Sequence, residues 1–181
     1  MLDTTFRKQR SSRAGVGNFM NLNIKFKKIN SGPRNIDPLI KLELNGHDIY
    51  HSKVLSEITQ ECKFSTENTL RIYFVNKTDL DTTVDNGCIV NDMSFELDEI
   101  VIDEVKFGNL LWIGKYHSDQ QVFDGCLFFG PKGYYEISFQ SPVLKWQLKT
   151  QHESSGSDPN WEEDYNYYTA ACKILTNKST T

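Results

Sequence analysis

The densest group of potential ligand oxygens in the chain runs through Thr78-Asp79-Leu80-Asp81-Thr82-Thr83-Val84-Asp85-Asn86-Gly87, then Asn91-Asp92, then a segment carrying Asp98 and Asp103. Calcium takes about six to eight oxygens and tolerates irregular geometry, so a long loop of Asp, Asn and Thr at a sheet edge can hold it. Asp79, Asp81, Asp85, Asp92 and Asp98 are the candidate ligands. The helix-loop-helix calcium motif does not fit: counting from Asp79 or from Asp81 puts no Gly at the sixth place and no Glu at the twelfth. The competing and preferred reading has Asp and Asn closing side-chain turns, with Asp85-Asn86-Gly87 a plain hairpin tip.

Aromatic side chains offer a second route to binding, because the C–H face of a sugar packs on a ring while polar neighbours reach its hydroxyls. Trp112, Tyr116 and Tyr134 are the candidates, with Trp146 beside them; against this, large aromatics more often serve a core or an interface. Catalysis leaves little trace. His47, His51, His117 and His152 are scattered, there is no H-E-x-x-H, G-x-S-x-G or Cys-His signature, and Gly15-Val16-Gly17 lacks the preceding strand and third glycine of a dinucleotide loop. A non-enzymatic protein is expected, although two carboxylates brought together only in space would leave no such signature.

The elements that must position these residues are strands. Apolar residues recur at every second position in short runs closed by turn residues. Ile24 and Phe26 begin the pattern; Ile40, Leu42 and Leu44 alternate with Lys41 and Glu43, and Asn45-Gly46 supplies the positive φ angles of a tight hairpin into Ile49–Val54. Cys62 with Phe64, then Leu70, Ile72 and Phe74, continue it, and Phe95, Leu97, Ile100 and Ile102 show a phase slip that predicts a bulge. Val105–Ile113 is a further strand candidate. Leu127–Phe129 is expected to pair with Tyr135, Ile137 and Phe139 across Gly130-Pro131-Lys132-Gly133. About eight short strands with almost no helical period predict an all-β fold: an antiparallel two-sheet β-sandwich, jelly-roll-like, closed by a short helix from Val143 to about Lys149.

The ends differ from this body, giving three segments: a basic arm over 1–20, the sandwich over 21–150, and a linker with a helix over 151–181. Arg7, Lys8, Arg10 and Arg13 mark the arm. Residues 151–160 have linker composition, and after them Trp161, Tyr165, Tyr168, Cys172 and Leu175 recur at helical spacing, predicting a C-terminal amphipathic helix whose aromatic face docks on its own sandwich or on another subunit. Arm and helix together are the predicted partner-docking elements.

At 181 residues and a formal charge of -4, the chain suits one ordinary domain with tails, and its acidic balance argues against sequence-independent coating of nucleic acid. No run of about eighteen apolar residues marks a membrane span, and Met1–Met20 contains no apolar stretch of the secretory-signal kind, so cytoplasmic synthesis is expected. Cys62, Cys88, Cys126 and Cys172 form no C-x-x-C pair and read as reduced, mostly buried thiols.

The run from Leu70-Arg71-Ile72-Tyr73-Phe74 through Asp81–Asp92 to Leu97–Asp103 resembles a segment of small β-sandwich proteins of tailed, cyanophage-type phages, which in turn resemble calcium-dependent xylan-binding modules. Gly133–Leu148 is similar to the closing strand and helix of the same phage proteins. The resemblance implies Asp92 and Asp98 in the places of the modules' calcium-binding Asp residues, with Asp79, Asp81 and Asp85 nearby; Met93 and Ser94 stand where those modules carry basic and Asn residues. Two functions are therefore expected. The first is a structural component of a virion, capsid-associated or in the tail, made in the host cytoplasm and docked on other virion proteins. The alternative is a calcium-dependent carbohydrate-binding or adhesin module.

Overall fold

A computed structural model describes residues 19–155 and residue 166. Twelve strands and one α-helix follow in chain order: β1 (Phe19–Ser31), β2 (Leu39–Leu44), β3 (His47–Lys53), β4 (Glu57–Lys63), β5 (Glu67–Phe74), β6 (Thr82–Asp85), β7 (Cys88–Ile102), β8 (Val105–Lys106), β9 (Lys115–Ser118), β10 (Val122–Asp124), β11 (Phe128–Phe129), β12 (Gly133–Gln140) and α1 (Val143–Ser155). They form two antiparallel sheets. The first runs β11-β7-β1-β4, with β6 and β8 also paired to β7; the second runs β10-β9-β12-β5-β2-β3. The expected β-sandwich is the observed fold.

Period-two patterning drives this arrangement, since one face of each strand must leave water. In β2 and β5 the buried residues alternate with Lys41, Glu43, Arg71 and Tyr73 on the outside. Phe95 lies at the centre of the core, with ring centroids 5.4 Å from Phe26, 5.0 Å from Phe74 and 4.5 Å from Phe129, so it joins residues of both sheets. Asn45 and Gly46, at φ 54° and 79°, close the β2–β3 hairpin as expected. The bulge also falls where the phase slips: Lys25 faces Glu99 but Phe26 faces Leu97, so Asp98 has no partner in the register.

Three expectations are corrected. Val105–Ile113 is not one strand: β8 is two residues long, and Gly108–Ile113 is a 3₁₀ helix that buries Leu110 and Leu111 behind Phe107. A short apolar run does not distinguish the two by period alone. Leu127–Phe129 does not form a hairpin with the strand after it. β11 pairs with β7 in the first sheet while β12 pairs with β5 and β9 in the second, so Gly130–Gly133 crosses between sheets. The stacking of Phe129 on Phe95 fixes that placement. Finally, α1 continues to Ser155, through the first half of the expected linker. Its Val143 and Trp146 are buried, and the Trp146 ring lies 5.2 Å from Phe107 and 6.0 Å from Phe139, which closes one end of the sandwich.

No helix among the described residues is long and apolar enough to cross a membrane. Arg7, Lys8, Arg10 and Arg13 of the arm, and Trp161, Tyr165, Tyr168, Cys172 and Leu175, lie outside the described residues. Of the thiols in the described residues, Cys62 is buried, but Cys88 is exposed at the start of β7, contrary to the expectation of mostly buried cysteines.

Candidate functional site

Side chains at matching register positions on one sheet face line up across the strands. On the outer face of the second sheet this produces two parallel rows. The first is Val122, His117, Tyr134, Tyr73, Lys41 and His51, each opposite the next across β10, β9, β12, β5, β2 and β3. Its rings stand on edge and pack on one another: His117 on Tyr134 at 4.6 Å and 6°, Tyr134 against Tyr73 at 5.0 Å, and the Lys41 ammonium 4.4 Å from the Tyr73 ring centroid. The packed ring faces are thereby engaged within the row, leaving ring edges and the Tyr134 hydroxyl for a ligand, while the Tyr73 hydroxyl donates to Glu43 Oε2 at 3.4 Å. Burial, then the nearby Glu43 carboxylate, pushes the Tyr73 phenol up, so it stays protonated. Gly133 permits the close approach of β12 to β9, because a Cβ there would sit 2.1 Å from the His117 carbonyl oxygen.

The second row is Asp124, Lys115, Glu136, Arg71, Glu43 and Asp48. Here Lys115 and Arg71, joined by Lys41 of the first row, are shared among four carboxylates. Arg71 donates to Glu136 at 2.6 Å and to Glu43 at 2.9 Å, Lys115 lies 3.3 Å from Asp124, and Lys41 bridges Glu43 at 3.4 Å and Asp48 at 3.2 Å. Hydrogen bonding to Glu136 and then Glu43 raises the Arg71 pKa further, and the bond to Asp48 does most to raise that of Lys41. The face is polar, with one carboxylate in excess of the three cations that bridge the row.

A hollow of about 450 Å³ opens along the aromatic row, walled by Lys41, His51, Tyr73, Tyr134, Asp119 and Lys132. A second cavity, about 560 Å³, lies between the β6–β7 ribbon and the β9–β10 turn; Asp119 and Lys132 are in its wall too.

The sequence-derived ligands are distributed differently. Asp81 is fully buried and receives Arg34 Nε at 2.7 Å, Arg34 Nη2 at 2.8 Å, the Thr78 amide at 2.9 Å and the Thr78 hydroxyl at 2.8 Å. Asp92 accepts from the buried Lys77 ammonium, and from the Thr82 hydroxyl at 2.5 Å. Asp98 pairs with Lys27 at 2.7 Å on the outer face of the first sheet. Asp79 and Asp85 are exposed, Asp85 beside the β6–β7 turn in which Asn86 and Gly87 have φ 50° and 78°. Among the described residues no group of three His, Cys, Asp or Glu side chains could hold a metal ion. The five candidate carboxylates thus lie apart in this arrangement, the two most enclosed of them paired with Arg34 and Lys77.

Of the aromatic candidates, Tyr134 sits in the row and Trp112 is 59% exposed on the 3₁₀ helix. Tyr116 is removed from candidacy: it is fully buried, its hydroxyl donates to the Pro131 carbonyl at 2.5 Å, and burial pushes its phenol well up. Tyr73, His117, Lys41 and His51 were missed. The alternation in β2 and β5 already put Lys41 and Tyr73 outside the core, which was the available signal.

No protein-family model and no curated protein sequence matches the chain. Among solved structures, a selenomethionine form of vCBM60, described with two families of calcium-dependent carbohydrate-binding modules, is similar at a TM-score of 0.43 and 11% identity, covering 65% of this chain and 88% of that one. No residue role follows from that likeness.

Proposed function

We propose that this chain is a non-catalytic carbohydrate-binding module whose binding face is the outer surface of the second sheet. The observation that carries the reading is the in-register row that sets Tyr73, Tyr134, Lys41 and His51 around the 450 Å³ hollow. Cavities of a few hundred Å³, aromatic-lined with a few placed polar groups, are the usual form of a small-ligand site. Three features favour a sugar over other ligands. The Tyr134 phenol both donates and accepts hydrogen bonds; the four carboxylates of the neighbouring row outnumber Lys115, Arg71 and the bridging Lys41 by one, a residual negative charge that disfavours phosphate; and the net charge of the chain is negative. Calcium has no part in this reading.

Titration of a panel of cello-, xylo-, manno- and chito-oligosaccharides against the full chain tests it. At least one series binds, and Tyr134→Ala weakens that binding by roughly tenfold or more without unfolding the protein. A panel without binders, or a binder indifferent to Tyr134→Ala and Tyr73→Ala, defeats the proposal.

A second reading, assembly as a structural virion component, is favoured by the β6–β7 ribbon and the 3₁₀ turn before it, where Leu80, Val84, Ile89 and Val90 are 58–70% exposed. Clustered exposed apolar residues suit a protein interface. In this reading deletion of residues 156–181 abolishes oligomer formation or incorporation while the sandwich stays folded, and normal assembly of the truncated chain rejects it.

A further inference from the structure

The two cavities meet at shared residues. Asp119, in the β9–β10 turn, and Lys132, in the crossover between the sheets, belong to the wall of the hollow along the aromatic row and to the wall of the cavity under the β6–β7 ribbon. Both are exposed, and neither forms a salt bridge among the described residues, unlike the paired charges of the neighbouring row. A carboxylate and an ammonium in the same two walls offer acceptors and donors without a net charge, a combination suited to sugar hydroxyls.

Beyond that rim the second cavity changes character. Phe128, 48% exposed, and Ile89, 66% exposed, give it apolar walls, while Gln120 supplies an amide; the Thr78 and Thr82 hydroxyls, which donate to Asp81 and Asp92, offer the cavity acceptor lone pairs only. The Lys77–Asp92 pair there is already engaged with Thr82 and the Met93 carbonyl, so it contributes shape more than charge. Apolar patches alternating with hydrogen-bonding groups repeat the requirements of the first hollow.

We infer that the two cavities are successive subsites for one linear, uncharged glycan chain, which crosses between them over Asp119 and Lys132. This rests on the carbohydrate-binding reading and adds to it the class of ligand: the interior of an extended polysaccharide, in contrast to a terminal sugar or a short end group. A disaccharide fills one hollow; a longer chain gains the contacts of the second without a second loss of translational freedom.

Calorimetric titration of the full chain with di-, tetra- and hexasaccharides from the series that binds provides the test. Affinity rises by roughly tenfold or more from the disaccharide to the hexasaccharide. Phe128→Ala and Gln120→Ala, confined to the second cavity, remove most of that gain and leave disaccharide affinity unchanged, whereas Tyr134→Ala weakens every length. The two variants remove exposed side chains, and an unchanged melting temperature confirms that each is folded. Equal affinity at all lengths, or loss of short and long ligands alike in Phe128→Ala and Gln120→Ala, overturns the two-subsite inference while the single-site reading survives if Tyr134→Ala still abolishes binding. Absence of binding at every length overturns both.

Discussion

The outer face of the second sheet and the acidic β6–β7 ribbon contain the same kinds of residue and put them to opposite ends. In the ribbon and its approach, Asp81 and Asp92 are drawn inward and saturated: Arg34 and Thr78 occupy one, Lys77 and Thr82 the other. On the sheet face the charged side chains also pair, but they lie beside a hollow into which phenols and an unpaired carboxylate and ammonium open. Under the proposed carbohydrate-binding reading, what would separate a scaffold carboxylate from a binding one is whether a cation of the same chain has already claimed it.

The sharpest way to break this distinction is to remove the claimed carboxylate. Asp81→Ala leaves Arg34 without its partner and the Thr78 amide without its acceptor, and is expected to cost about 3 kcal/mol, the low end for a broken buried pair because Arg34, 36% exposed, can rehydrate. Urea denaturation measures the loss, and oligosaccharide binding by the folded variant stays at the parental level. Parental stability would mean that Asp81 is free for another role.

Acid offers the same comparison without deleting the side chain. The Asp81 carboxyl is held below its ordinary 3.8 chiefly by the Arg34 hydrogen bonds, with burial opposing and Thr78 assisting. A carboxyl whose folded pKa lies below its unfolded one stabilises fully above the unfolded value and loses that contribution as pH falls through the folded value. The stability difference between parent and Asp81→Asn is thus constant above about pH 5 and narrows below about pH 4, as equilibrium unfolding at a series of pH values will register. Subtracting the variant removes the parallel acid sensitivity of Glu96 and Glu99, which are lowered by their own lysines.

On the sheet face a smaller change separates hydroxyl from ring. Tyr134→Phe preserves the stack with His117 and Tyr73 but removes the phenol oxygen; binding falls by about 1 kcal/mol, roughly fivefold, while folding stability stays within about 0.5 kcal/mol. An equal effect of Tyr134→Phe on folding would place that oxygen in the scaffold.

How much of this was legible in the sequence depended on locality. Asn45-Gly46 and the slip at Asp98 could be read because a tight turn needs positive φ and because a one-residue shift moves every side chain to the other face. Gly130-Pro131-Lys132-Gly133 misled because turn chemistry marks a reversal without saying which strand lies beyond it; the destination of Phe129 is set by Phe95, far away in the chain. The candidate site was illegible for the same reason. Tyr134 could be named, but its row joins six strands, and sequence shows that a residue faces outward without showing which outward residue stands opposite. The acidic loop failed differently, since its carboxylates were visible and the cations that occupy them, Arg34 and Lys77, were not recognised as their partners.

The smallest expected effect concerns calcium. A ligand at a hundredfold excess over its dissociation constant stabilises a native state by about 2.7 kcal/mol, which shifts the melting temperature of a domain of this size by several degrees. With Arg34 on Asp81 and Lys77 on Asp92, a cation would have to break two ion pairs and leave two cations unpaired to gain its carboxylates. Millimolar calcium is accordingly expected to move the melting temperature by less than about 1 °C. A rise of several degrees that a chelator reverses and Asp92→Asn abolishes would show that Lys77 yields its carboxylate to a metal, and the contrast between the two regions would then be one of occupancy instead of design.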